Sequence, residues 1–163
     1  MSFEALDVAL IRQLRQEVCD GPAFLENALR WIPPAKYGIT PDSSISDWSV
    51  HRHVFHLMYN QRFKGIPRVH RVLQPSLILE PYREDADWRE DRPLDQITAR
   101  FRQDRMQFVN WLAGVDESCW MQTYRDPRYG PTSFLWYVQK LHQHTFEHIN
   151  TLLKFALFGL KHN

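Results

Sequence analysis

Trp48-Ser49-Val50-His51-Arg52-His53-Val54-Phe55-His56-Leu57 and, much later in the chain, His144-Thr145-Phe146-Glu147-His148 are the stretches on which the fold turns. In the first, Val50, Val54, Leu57 and Met58 recur at helical spacing behind Ser49, whose hydroxyl suits an N-cap. In the second, an i, i+4 histidine pair lies on one helical face with ring carriers about 6 Å apart along the axis, so two imidazoles can share one divalent ion. Two ligands hold a metal poorly. A third imidazole from a separate helix, with His56 about two turns inside the first stretch, would complete a three-nitrogen site with an open coordination position, as catalytic metal sites have.

Outward from these stretches, helical spacing dominates over strict alternation, and no internal repeat is present. Leu6, Leu10, Leu14 and Val18 form an N-terminal apolar stripe that Gly21-Pro22 is expected to interrupt, with a second helical piece or a kink from Pro22 to Trp31. Pro33-Pro34, Gly38 and Pro41 mark a loop to about Asp47. The second helix should reach Arg62 or pass Gly65, with Pro67 as the obstacle. Three prolines between 75 and 93 and the charged run Arg83-Glu84-Asp85-Ala86-Asp87 predict a long crossover loop holding at most a short helix. Leu94, Ile97, Phe101, Phe108 and Leu112 define a third helix ending near Gly114. A loop from Asp126 to Pro131 then leads to Thr132 or Ser133 as cap of a last helix to about Phe158. The expected fold is all-α: one domain over residues 1–163, a four-helix bundle with a long crossover between its second and third helices.

Charge and composition exclude several functions. The 20 Lys and Arg nearly balance the 19 Asp and Glu and are scattered, which gives no reason to expect nucleic acid or a membrane surface as partner. Cys19 and Cys119 are too few for a disulfide framework and read as bland buried thiols in a reducing compartment. The acidic start Met1-Ser2-Phe3-Glu4-Ala5-Leu6-Asp7 lacks the character of a signal peptide, and the apolar run Phe155 to Leu160 is far short of a membrane span. A cytoplasmic protein is therefore expected, and an apolar outer stripe on the bundle makes a homodimer the default.

The ordered motifs carry a family resemblance. Trp48-Ser49-Val50 followed by His56-Leu57 resembles the segment that opens the second helix of the DinB-like superfamily of metal-binding four-helix bundles. Leu94 to Trp120 resembles its third helix, Arg128-Tyr129-Gly130-Pro131-Thr132 the start of its fourth, and His144-Thr145-Phe146-Glu147-His148 its H-x-x-x-H. The resemblance covers nearly all of the chain from Trp48 to Phe155. It implies a mononuclear site of His56, His144 and His148, occupied by zinc or nickel, in a family that includes thiol S-transferases and thiol-dependent isomerases. Three features depart from the family pattern. Arg52 stands where a capping-box glutamate is common, Asn60 or Gln61 where an acidic residue often follows the first ligand, and Thr151 where many relatives have glutamine.

Other residues have competing readings. His53, three positions before His56, shares its face and is the alternative third ligand. His51 and His142 point away from the paired face, and His70 and His162 have no partner at ligand spacing, so all four read as solvent or packing residues. Thr145 after His144 excludes the H-E-x-x-H protease arrangement, and Glu147 lies off the ligand face. No Gly-x-Ser-x-Gly turn exists, and neither cysteine lies near a histidine. Trp31, Trp48, Trp111, Trp120 and Trp136 read as core, while Tyr59 and Phe63 fit a pocket above the metal as well as they fit the core. Tyr82 to Trp88 could close over such a pocket.

The preferred function is a metal-dependent enzyme of thiol S-transferase or hydrolase type acting on a small molecule, in which the ion lowers the pKa of a low-molecular-weight thiol or of water. The alternatives are a non-catalytic metal- or small-ligand-binding bundle and a purely structural one.

Overall fold

The computed structural model describes residues 3–158, with side chains from residue 8. Leu6 of the first stripe and His162 lie outside what is described. Helix α1 (Phe3–Arg30) is followed by a loop, then by α2 (Val50–Asn60), a π turn (Gln61–Gly65) and α3 (Ile66–Leu73) in one continuous rod. The crossover carries only α4 (Glu84–Asp87) before α5 (Leu94–Ala113), and a hairpin of β1 (Thr123–Asp126) and β2 (Gly130–Ser133) precedes α6 (Phe134–Phe158). Helix α1 packs on α5 and α6, and α2 packs on the same two, so α1 and the α2–α3 rod face each other across a four-helix bundle.

Four expectations are corrected. Residues 126–131 are not a plain loop: Thr123 pairs with Ser133 and Asp126 with Gly130 in a short antiparallel ladder. The reversal is made by Gly130 at φ +76°, and by Asp126, whose carboxylate accepts the amides of Arg128 and Tyr129. Ser133 still caps α6, accepting from the Trp136 amide at 3.1 Å. The apolar stripe of α1 runs through Ile11, Leu14 and Val18 instead of Leu10, which is 40% exposed; Trp31, expected in the core, is 73% exposed.

The fourth correction explains the bundle's centre. Gly21-Pro22 does not break α1. Pro22 has no amide proton to give the carbonyl of Val18, one turn earlier. That carbonyl accepts instead from Nη1 of Arg105 on α5 at 3.3 Å. Arg105 is fully buried; its Nε donates to Oε1 of Gln61 in the π turn at 2.5 Å, and its Nη2 to the Thr145 hydroxyl on α6 at 2.9 Å. Gly21 makes the room, since a Cβ there would stand 3.3 Å from Nη1. One guanidinium therefore joins all four helices. The apolar core divides around this polar layer. One cluster is built on Leu25, Phe55, Phe101 and Leu152, and the other on Val18, Val69, Phe108, Phe134 and Val138.

Replacing Arg105 by methionine keeps most of the buried stem and removes three hydrogen bonds. At about 1 kcal/mol for each, with acceptors left buried, the expected loss is about 3 kcal/mol, read as a lower urea midpoint. An unchanged or higher midpoint would mean that desolvating the guanidinium costs as much as its bonds return.

Candidate metal centre

The start of α2 is fixed by Ser49, whose Oγ accepts from the Arg52 amide at 3.2 Å without a reciprocal capping-box contact, as the sequence suggested. His56 lies two turns in and faces His144 and His148 on α6. One ligand nitrogen from each of these three lies within 4.8 Å of the others. Nε2 of His56 and Nε2 of His144 face each other at 3.0 Å, and the ring of His148 is centred 4.7 Å from that of His56 and 4.8 Å from that of His144. Trp48 packs against the group, its ring 5.0 Å from that of His56 and nearly parallel to that of His148 at 6.1 Å.

Second partners hold the rings in place. His56 Nδ1 donates to Oε2 of Glu84 at 2.8 Å, so its Nε2 carries a bare lone pair. Glu84 is buried, accepts also from the Tyr82 hydroxyl, and pairs with Arg52 at 3.1 Å. Burial would raise its carboxyl, but hydrogen bonds from His56 and Tyr82 and the charges of His56 and Arg52 outweigh this and hold it below the ordinary carboxylate value. His53 is not in the triad. Its Nδ1 lies 2.8 Å from Nδ1 of His148, and its Nε2 lies 2.7 Å from Oγ of Ser46. Two nitrogens at that distance share one proton. When Nδ1–H of His148 donates to Nδ1 of His53, and Nε2–H of His53 donates to Oγ of Ser46, Nε2 of His148 is left bare as well.

Burial, reinforced by neighbouring imidazoles, pushes His148 down to about 2, and burial with the charges of His56, Lys64 and Lys140 pushes His144 down to about 4. Burial and His56 bring His53 to about 4. The rings are therefore neutral at pH 7, the form in which imidazole ligates a metal without first losing a proton. Three converging ring nitrogens, with the outer nitrogens of His56 and His148 hydrogen-bonded, fit a divalent first-row cation in chemistry and orientation.

The remaining sequence readings sort clearly. His51 is buried with Nε2 2.7 Å from the Arg92 carbonyl, His142 pairs with Glu17 at 3.2 Å, and His70 packs 4.0 Å from the Trp111 ring. Glu147 is exposed and bonded to Gln143. Both cysteines are free and half-buried. Tyr59 is 4% exposed, in the core, with its hydroxyl donating to Asp87, and Phe63 packs on the same cluster. Neither lines the cavity beside His56 and His144. That cavity is lined instead by Asn60, Lys64, Arg68, Lys140 and aromatic side chains from the hairpin end. The carboxylate that positions 60 and 61 lack arrives as Glu84 from the crossover. Sequence reasoning missed it because nothing in local spacing ties residue 84 to residue 56.

The depressed histidines make a pH prediction. Between their ordinary value of 6.5 and about 4, the unfolded chain binds more protons than the fold. The metal-free protein should keep its stability above pH 6.5 and lose it as pH falls through that window. The test is the urea midpoint of parent minus His148→Gln against pH. A sloping difference is expected below 6.5, and a flat one would show that the imidazoles are not desolvated.

Comparison with known proteins adds the family. The DinB superfamily model matches residues 22–152, well over half of the chain. YfiT from Bacillus subtilis, a probable metal-dependent hydrolase with an unusual four-helix bundle topology, is similar in structure, with a TM-score of 0.75 and 15% identity over 96% of this chain and 89% of its own. At that identity the likeness speaks to fold alone. Comparison with curated proteins gives no match. With the sequence motifs, the bundle and the family model in agreement, the chain belongs to the DinB superfamily.

Proposed function

We propose that His56, His144 and His148 hold one divalent metal ion, zinc or nickel, and that the protein is a metal-dependent enzyme of thiol S-transferase or hydrolase type. The observation that carries this reading is the convergence of three imidazoles, two of them with Nε2 atoms face to face at 3.0 Å. Two nearby lone pairs repel unless a proton or a cation lies between them. The likeness to a probable metal-dependent hydrolase agrees with this reading.

A divalent ion with three protein ligands and an open position supplies a Lewis acid that lowers the pKa of a thiol or of water and so provides a nucleophile at neutral pH. The chain's own residues do the rest. Glu84 keeps the His56 Nδ1 proton in place, His53 and Ser46 do the same for His148, and Trp48 closes one side of the triad. The open side is the cavity along α3 and α6, through which a small substrate reaches His56 and His144.

Metal content measured on untagged protein should be about one equivalent per chain, absent from a folded His144→Ala/His148→Ala variant. In cobalt-loaded protein, a small thiol should shift the visible absorption; a spectrum unmoved by thiol would leave a non-catalytic metal-binding bundle. His53→Ala should keep the metal but weaken it about 10–100-fold, the usual effect of removing an outer-shell partner. Loss of metal as complete as in His148→Ala would instead make His53 a ligand.

A further inference from the structure

The cavity that opens on the triad is built from two ladders of side chains at four-residue spacing. On the α2–α3 rod the ladder is His56, Asn60, Lys64 and Arg68, and on α6 it is His144, Lys140 and Trp136. The helices run in opposite directions, so the histidines meet at one end and the cations lie farther along. At 1.5 Å per residue, Lys140 is about 6 Å along the axis from His144, and Lys64 about 12 Å from His56. Tyr129 and Trp136, 5.2 Å apart, supply aromatic surface to the same cavity, whose volume is about 240 Å³.

We infer that this cavity selects a small organic anion, with its carboxylate or phosphate held by Lys64, Arg68 and Lys140, its apolar or aromatic body against Trp136 and Tyr129, and its reacting end at His56 and His144. Three cations line the cavity and no carboxylate does. The carboxylates close by are committed elsewhere. Glu84 serves His56, Tyr82 and Arg52, and Asp126 serves the Tyr137 hydroxyl and the turn amides. Neither Arg68 nor Lys140 makes an ion pair or hydrogen bond within contact distance among the described residues, although the Arg68 charge helps hold Asp126 below its ordinary value. Lys64 makes a face contact with Tyr82, 5.0 Å from its ring, and feels the charge of Glu84 without a direct ion pair. Burial and the like charges of Arg68 and Arg128 outweigh the attraction of Glu84 and pull Lys64 below its ordinary value, so a further negative group in the cavity would relieve the cluster. Size agrees with one ring and an acidic group: a cavity of roughly 150 Å³ already takes a benzene.

The inference rests on the proposed function only for the reacting end; the charge preference belongs to the cavity. It is therefore tested on the full chain stripped of metal, by calorimetric titration with phenylacetate, phenyl phosphate and neutral phenylacetamide, with the Trp136 indole N–H followed by NMR. At least one anion should bind tenfold or more tighter than the amide and shift the Trp136 signal. Whichever anion is preferred identifies the group as carboxylate or phosphate. The Lys64→Gln/Lys140→Gln variant should bring the anion down to the affinity of the amide, with a melting temperature no lower than the parent's. Arg68→Gln, tested separately, should weaken the anion several-fold. Equal binding of acid and amide, or anion affinity that survives in the triple variant with Arg68→Gln, would overturn the inference. A chain that takes up no metal yet discriminates anions would overturn the proposed function alone, and one that takes up metal without discriminating would overturn this inference alone.

Discussion

Everything in this bundle is arranged around one buried guanidinium. A charge with no carboxylate beside it is an expensive thing to enclose, and burial pulls Arg105 down to about 9. The chain meets that cost with acceptors made available on three other helices. Pro22 frees the Val18 carbonyl, Gly21 leaves the space, Gln61 turns its amide oxygen inward, and Thr145 adds a hydroxyl that itself donates to Leu141. These partners fix the relative height of all four helices, because sliding any one of them by a turn would strand a buried polar group. Apolar clusters above and below cannot supply such a register. They repack among alternatives of similar volume, whereas a fork of donors has one fit.

The three converging histidines inherit that register. Thr145 follows His144 directly, and Gln61 starts the π turn one residue past Asn60 in the cavity wall. The triad is thus set by rigid helices, while several of the groups around it come from less regular chain: Glu84 from the crossover on His56, Trp48 from the segment before α2, and Ser46 from the same segment, acting through His53 on α2. Convergence of three ring nitrogens demands the helices' precision, and tautomer control needs only one acceptor at hydrogen-bond distance.

Much of this was legible in the sequence because helical period, caps and an i, i+4 histidine pair are local properties. The second, third and fourth helices and the convergence of His56, His144 and His148 follow from such signals. What was not legible depends on chain paths. Glu84 reaches His56 only because the crossover folds back over α2. Gly21-Pro22 reads as a break until Arg105, distant in sequence, answers the freed carbonyl. Trp31 reads as core by composition but stands at the end of α1 with nothing packed over it. The hairpin hides because Asp126-Pro127-Arg128-Tyr129-Gly130 gives turn signals between strands too short to show alternation.

The π turn shows how local irregularity serves the site. In a regular α-helix of 3.6 residues per turn, twelve residues from His56 to Arg68 would carry a side chain about 120° past its starting direction. A π turn has more residues per turn, so each rotates the chain less and the drift shrinks. Gln61–Gly65 lies between the two residues, and His56, Asn60, Lys64 and Arg68 all line one cavity. Helix α6 has no such turn. Its ladder drifts as expected: Trp136, Lys140 and His144 line the cavity, and His148, twelve residues from Trp136, has turned out of it toward His53. Pro67 gives the rod a reason to widen there, since its ring crowds the carbonyl four residues back and it offers no amide proton. Gly65 lets α6 come close enough to use the result, for a Cβ at that position would stand 2.5 Å from Cδ1 of Leu141. The proline, the wide turn and the glycine together place cations and histidines on one wall, which an uninterrupted α-helix of this length could not do.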